Sequence, residues 1–175
     1  MRTKVVKHKH LRIEPGATVR LVEIDPSDTR GFDDKEDARG RLEHDIHKLE
    51  KLQGKLAASR SHAVLIVLQG MDSSGKDGAI KHVMSGVNPQ GIDVHAFKRP
   101  TEEELNHDFL WRCQKALPER GRIGIFNRSY YEDVLVVRVH QDLLANEGVD
   151  VNETRVWQQR FEDINTFERH LVRNR

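Results

Sequence analysis

Hydrophobic positions along the chain follow two rhythms. From Asp33 to Ala58, Leu42, Ile46, Leu49, Leu52 and Leu56 recur at spacings of three and four with charges between them. That pattern predicts an amphipathic helix packed beside a sheet. Ala63 to Leu68 is instead a continuous apolar, β-branched run, which predicts a strand buried on both faces. Helical spacing returns at Ala79–Met84, where Ile80, Val83 and Met84 share a face, and Ile92–Phe97 then reads as a second strand. Thr101, with Glu104 three residues on, is a capping box that starts a helix running to about Leu117. Pro118–Gly121 breaks it, Arg122–Phe126 forms a third strand, and a helix carrying Val134, Leu135, Val137 and Val139 starts near Ser129. After the loop at Asn146–Gly148, Glu153 to about Val172 is helical, with Val156, Phe161, Ile164, Phe167 and Leu171 as its apolar set. Residues 1–32 read as an irregular arm, broken at Pro15-Gly16 and Pro26-Ser27-Asp28.

Strands alternating with helices predict an α/β fold: parallel strands, right-handed crossovers and helices on both faces of the sheet. Ligands in such sheets bind at the carboxyl ends of the strands. Three segments fall there: Gly70–Lys76, Lys98-Arg99 and Asn127-Arg128-Ser129. Three strands make a thin sheet whose open edge favours association, so a homo-oligomer is expected. The chain stops after a helix, in Arg173-Asn174-Arg175, and is expected to be incomplete at that end.

The first strand runs into Gly70-Met71-Asp72-Ser73-Ser74-Gly75-Lys76, a glycine, four residues, a glycine and a lysine, followed by a helix. Strand, glycine-containing loop with lysine, and helix form the context of a phosphate-binding P-loop. Gly70 and Gly75 permit torsions that turn backbone N–H groups inward, the helix N-terminus adds partial positive charge, and Lys76 supplies a full charge to the transferred phosphoryl group. One position departs from the usual pattern. Where a P-loop places a magnesium-ligating Ser or Thr after the lysine, this chain has Asp77. A second carboxylate, Asp72, sits inside the loop, where it opposes a polyanion unless a divalent cation lies between them. Asp72 is therefore assigned to the metal side. The alternative is a plain glycine turn before an ordinary helix.

At 175 residues the chain fits one domain with a real core, and 33% charged residues against 6% aromatic ones indicate a soluble, highly charged protein. The net charge of +1 hides a basic arm: Arg2, Lys4, Lys7, Lys9 and Arg12 precede the first acid, Glu14. Such an arm can meet a polyanion or remain a solvated terminus. A single cysteine, Cys113, rules out an internal disulfide and fits a reducing cytoplasm; within a helix it reads as a small buried hydrophobe. No apolar stretch approaches membrane-spanning length, and neither a membrane nor a nucleic-acid partner is expected.

Four stretches in order resemble the family-2 polyphosphate kinases: Leu68–Gly78, His82–Gly91, Phe97–Arg112 and Phe126–Val134. The resemblance runs from about Asp33 to the C-terminus. It implies a P-loop kinase-like α/β/α sandwich whose members move a terminal phosphoryl group between inorganic polyphosphate and a nucleotide with Mg2+ or Mn2+. The Gly-Lys-Asp-Gly and Phe-Asn-Arg-Ser forms resemble the branch that accepts both nucleoside mono- and diphosphates. By this resemblance Asp72 serves the metal and Lys76 the phosphate, with Met71, Ser73, Ser74, Asp77 and Gly78 completing the loop's binding surface. Arg128 contacts phosphate, Lys81 lies on the polyphosphate path, and Lys98 and Arg99 meet the nucleotide's phosphates. Asn127 stands where many relatives have a metal-binding aspartate, which leaves the second ligand to Asn127 itself or to nearby Glu132 or Asp133. The resemblance implies a further strand and a basic helical lid beyond this stretch, in keeping with the expectation that the chain is incomplete at that end.

The implied mechanism is direct in-line transfer without a phosphoenzyme, since a loose transition state needs positioning and charge neutralisation more than a protein nucleophile. Two other readings remain at this point: an ATP-dependent nucleoside monophosphate kinase, and a fragment that binds polyphosphate or nucleotide without turnover. Trp111 and the Tyr130-Tyr131 pair are ambiguous between core packing and base stacking.

Overall fold

A computed structural model of the chain describes residues 12–29, 31–32, 34–149 and 155–175. Most of the basic arm and the expected helix start at Glu153 lie outside the described residues; of the arm's cations, Arg12 is described, and pairs with Glu14 at 3.2 Å. Strands β1 (Val64–Leu68), β2 (Ile92–Ala96) and β3 (Ile123–Asn127) form one parallel sheet in the order β1-β3-β2. Both pairings are in register at the carboxyl ends, Leu68 and Ala96 each standing opposite Asn127.

The strand order corrects one expectation. Ala63–Leu68 is the most continuous apolar run before the P-loop, yet β1 lies at the sheet's edge, with Val64 40% exposed and its remaining residues half-buried. The strand covered on both faces is β3, whose Ile123, Gly124, Ile125 and Phe126 are all buried. Gly124 has a specific reason to lack a side chain. A Cβ there would stand 2.8 Å from both Cδ and Cγ of Pro118.

Helices flank the sheet. On one face Leu65, Val67 and Phe126 pack with Cys113, Tyr130, Ile164 and Phe167, contributed by β1, β3, α4 (Trp111–Lys115), the loop after β3, and α7 (Val156–Asn174). Cys113 is fully buried, as expected, and burial pushes its thiol up to about 12. The long helix α1 (Lys35–Ser59) begins at the Asp34 cap, whose carboxylate accepts from the Asp37 N–H at 2.8 Å. Its expected apolar stripe is only partly used: Ile46, Leu49 and Leu56 turn inward, whereas Leu52 is 59% exposed. The buried residue of this helix is Gln53, whose amide donates to the Asn88 carbonyl at 2.8 Å and accepts from the Asn88 N–H at 3.0 Å.

The helix expected over Thr101–Leu117 is two short helices, α3 (Glu102–Leu105) and α4. The Thr101–Glu104 capping box is present with both of its reciprocal hydrogen bonds. The break follows from Asn106-His107-Asp108: the Asp108 carboxylate accepts from the Leu110 N–H at 3.0 Å and so competes with the helix. Trp111 is half-buried, with His107 stacked on its ring at 3.9 Å and the Lys115 ammonium 4.1 Å from its centroid, so both neighbours come from its own segment. After β3 come α5 (Glu132–Val139) and α6 (Asp142–Asn146). No helix among the described residues is long and apolar enough to cross a membrane.

Substituting Gly124→Ala places a methyl group against the rigid Pro118 ring. We expect a loss of about 1–3 kcal/mol from overpacking, read as a lower urea midpoint with an unchanged slope. An unchanged midpoint would show that the Pro118 turn yields freely.

Candidate active site

Because the strands are parallel, the segments leaving their carboxyl ends share one edge of the sheet. The loop after β1 and the Asn127-Arg128-Ser129 turn after β3 are neighbours, and Lys98-Arg99 leaves β2 on the other side of β3. The three clusters expected to bind phosphate are thus brought together.

The P-loop obtains its curvature differently from the simplest expectation. Gly75, which precedes α2 (Lys76–Val83), is left-handed with φ +89°. The other positive φ belongs to Ser73, at +65°, and not to Gly70. Gly70 is needed for proximity: a Cβ there would lie 2.6 Å from Ser74 Oγ. The Ser74 N–H closes the turn onto the Met71 carbonyl at 3.1 Å. Lys76 is 10% exposed, and its ammonium donates to the Met71 carbonyl at 3.2 Å, 3.7 Å from Asp72. Gly78 sits in the first turn of α2 with open space around its Cα, and Lys81 is exposed one turn further along.

Across the loop, Arg128 is held in the left-handed region at φ +65° while its N–H continues the β1–β3 ladder onto the Leu68 carbonyl at 2.9 Å. A bulky residue in that region carries strain, which recurs at functional sites. Its guanidinium pairs directly with Asp72. The Arg128 hydrogen bond and charge, with Lys76 behind them, hold the Asp72 carboxyl below the usual carboxylate range. Beside this pair, the Asn127 amide donates to Asp77 Oδ1 at 2.5 Å. Asn127 Oδ1 is buried with no donor. Glu132 accepts from the Gln69 amide at 2.5 Å and stands 4.0 Å from Arg128, so it braces the edge between β1 and α5.

Oxygen donors alone line this region, Asp72, Asp77 and the orphaned Asn127 oxygen among them, and such donors fit Mg2+ or Mn2+. No group of three or more His, Cys, Asp or Glu side chains converges as a metal cage among the described residues. A cation held here would take most of its ligands from phosphate and water, as magnesium commonly does.

A cavity of about 490 Å³ opens next to Arg128. Its lining carries Lys98, Arg99 and Arg128 together with the carboxylates of Glu132, Asp133, Asp142 and Glu147, and Phe97, Val136 and Leu143 provide apolar surface. A larger groove of about 550 Å³ beside β1 and α7, lined by Leu65, Val67, Leu117 and Leu171, contains no P-loop residue. Arg112, Asp133 and Glu147 line the 490 Å³ cavity and, with Arg160, form a buried polar cluster that sequence reasoning missed. Arg112 donates to the Lys98 carbonyl at 2.8 Å and lies over Phe97, fixing the loop that carries Lys98 and Arg99. Arg160 pairs with Glu147 and donates to the Asp133 carbonyl at 2.8 Å. A signal existed: Arg160 lies midway between Val156 and Ile164, four residues from each, on the face that α7 buries. Tyr130 and Tyr131 both donate to Glu168 on α7, at 2.9 and 2.6 Å, and belong to the core. Asp133, named beside Glu132 as a metal ligand, is buried in this cluster against Arg112, Arg160 and Glu147.

The strand–P-loop–helix unit on a parallel sheet defines a P-loop kinase fold. Comparison with known proteins narrows this: residues 32–175 match the family model described as polyphosphate kinase 2. The chain is 47% identical over 176 residues to an ADP-polyphosphate phosphotransferase of Rhodopseudomonas palustris, covering 97% of this chain and 60% of the relative. It is 46% identical over 165 residues to an AMP/ADP-polyphosphate phosphotransferase of Meiothermus ruber, covering 94% and 58%. Among solved structures, polyphosphate kinase 2 from Arthrobacter aurescens superposes with a TM-score of 0.82 at 38% identity, over 95% of this chain and 56% of that one. The chain belongs to the polyphosphate kinase 2 family. It spans about three-fifths of the length of these relatives.

Asp133 yields a pH prediction. Burial, then Glu147, against the opposing pull of Arg112 and Arg160, raises its carboxyl from 3.8 to about 7. The folded chain therefore keeps a proton that the unfolded chain releases, and this group's contribution to stability falls as pH rises from about 4 to about 7. Calorimetric melting between about pH 5 and 8 should show the Asp133→Asn curve flatter than the wild-type curve, because the amide cannot ionise. Parallel curves would remove Asp133 as a source of pH dependence.

Proposed function

We propose that this chain provides the P-loop core of a polyphosphate-dependent nucleotide kinase, with nucleoside mono- and diphosphates as acceptors. The observation that carries this reading is the convergence of Lys76, Arg128 and the Lys98-Arg99 loop at one edge of the sheet, beside a half-apolar cavity. The printed activities of the relatives, ADP-polyphosphate and AMP/ADP-polyphosphate phosphotransferase, support the same chemistry.

In this reading the loop's N–H groups and the N-terminus of α2 cradle polyphosphate. Lys76 turns from the Met71 carbonyl to a phosphate oxygen, and Lys81 extends the basic path along α2. The acceptor's nucleoside occupies the 490 Å³ cavity, with Lys98 and Arg99 on its phosphates. An acceptor phosphate oxygen attacks the terminal phosphorus, the bridging oxygen leaves on the shortened polyphosphate, and no proton transfer from carbon or nitrogen is needed. Arg128, released from Asp72, neutralises charge on the transferred group. Asp72, Asn127 and Glu132 are the side chains that would hold Mg2+ or Mn2+, which would supply further charge neutralisation.

The test is ATP formation from ADP, long-chain polyphosphate and Mg2+. Lys76→Ala should lower the rate by about 10²–10³-fold, the scale of one lost electrostatic donor. Wild-type turnover should also fall steeply with added salt, because both substrates are polyanions. A rate untouched by the substitution would overturn the assignment of Lys76. Transfer from ATP to AMP with none from polyphosphate would replace this reading with that of an ATP-dependent monophosphate kinase.

A further inference from the structure

The 490 Å³ cavity draws its polar groups from different elements. The segment leaving β2 brings Lys98 and Arg99, and the turn after β3 brings Arg128. Helix α6 brings no cation. It and its C-cap line the cavity with Asp142, Leu143, Asn146 and Glu147, a spacing that places all four on one side of a helix. Glu147 is held by Arg160. Asp142 and Asn146 are exposed, and among the described residues neither side chain has a hydrogen-bond or ion-pair partner.

A nucleotide has one charged end and one neutral end. Its phosphates seek cations and avoid carboxylates. Its nucleoside carries O–H donors on the ribose and, in some bases, N–H donors on an exocyclic amine. An ionised carboxylate only accepts hydrogen bonds, whereas an amide both accepts and donates. A wall with a free carboxylate, a free amide and no cation therefore suits the neutral end. We infer that α6 reads the acceptor's nucleoside: Asp142 accepts hydrogen bonds from it, Asn146 adds a donor and an acceptor, and Leu143 packs against it. Resting on the proposed phosphate-transfer reading and deepening it, this makes Asp142 and Asn146 specificity-determining residues.

A second feature of the lining points the same way. Asp133 of α5 also lines the cavity; it is 5% exposed, and its Oδ2 has no hydrogen-bond partner. A buried oxygen without a partner is costly. The polar side chains that α5 and α6 contribute to the lining are thus acceptors, apart from the Asn146 amide. A nucleoside brings the hydroxyl and amine donors that such a lining wants, and ionised polyphosphate brings none. The P-loop has the opposite character, since Lys76 and the N–H groups at the start of α2 are donors.

An acidic residue in the first turn of a helix is also favoured by the helix dipole, and the experiment separates that structural role from recognition. Calorimetric titration without polyphosphate compares ADP, 2′-deoxyADP, IDP and inorganic pyrophosphate on wild type, Asp142→Ala and Asn146→Ala. Removing a carboxylate near a phosphate site strengthens any polyanion bound by charge alone, so the two roles differ in sign. Asp142→Ala should weaken ADP by about tenfold and leave pyrophosphate unchanged or tighter, and Asn146→Ala should weaken ADP by about threefold. The loss in Asp142→Ala should vanish with 2′-deoxyADP if the ribose 2′-hydroxyl is the donor, and with IDP if the exocyclic amine is. Unchanged or tighter ADP binding in Asp142→Ala overturns the inference. So does an equal loss for all three nucleotides, a loss for pyrophosphate, or a wild type that does not bind ADP. Binding is read without turnover. A chain with this selectivity that transfers no phosphate from polyphosphate therefore defeats the proposed activity and leaves the nucleoside-reading wall standing.

Discussion

The central place of β3 sets the remaining geometry. It hydrogen-bonds to β1 on one side and β2 on the other, and its first four residues are buried. A strand so placed leaves no room for charge along its buried length, and with Pro118 against it, a side chain at Gly124 would force the proline ring to shift. Its last residue, Asn127, is the first that is half-exposed. At that residue the strand stops serving the core and starts serving the site. Parallel pairing in register then brings the loops after all three strands to the same edge without any further device.

At that edge the charges answer one another. Arg128 is balanced by Asp72, Lys76 rests on a carbonyl, and Asp77 holds the Asn127 amide. In the reading proposed above, these contacts satisfy groups that a bound polyphosphate and its cation would engage instead. Lys76 can move with side-chain torsions alone, whereas Arg128 is set by a left-handed backbone anchored in the β1–β3 ladder. The backbone of Arg128 is thereby fixed, while its guanidinium is held by Asp72.

Behind the site, α7 and α4 contribute more than apolar packing. Arg160 ties Glu147 to the Asp133 backbone, and Arg112 ties α4 to the Lys98 carbonyl. Buried ionic clusters contribute little net stability, because desolvation offsets their attraction. Their effect here is positional: they hold the Lys98-Arg99 loop and the start of α5 at one distance from Arg128.

Local pattern and spacing were enough to locate the P-loop, the three strands, the capping box at Thr101 and the three polar clusters, because each is a property of neighbouring residues. The α/β class and the placement of those clusters at strand ends followed from alternation alone. Strand order was not legible: Ala63–Leu68 and Arg122–Phe126 are both apolar runs, and only tertiary pairing made the second one central and the first an edge. The split at Asn106–Asp108, the inward turn of Gln53 and the burial of Arg160 likewise depend on distant partners that no periodicity encodes. The sequence by itself determined which chemical groups this protein carries and on which kind of element. Tertiary structure decided which of them meet, Asp72 with Arg128 and Asp77 with Asn127, because those residues are separated by 56 and 50 positions along the chain and are joined only by the sheet.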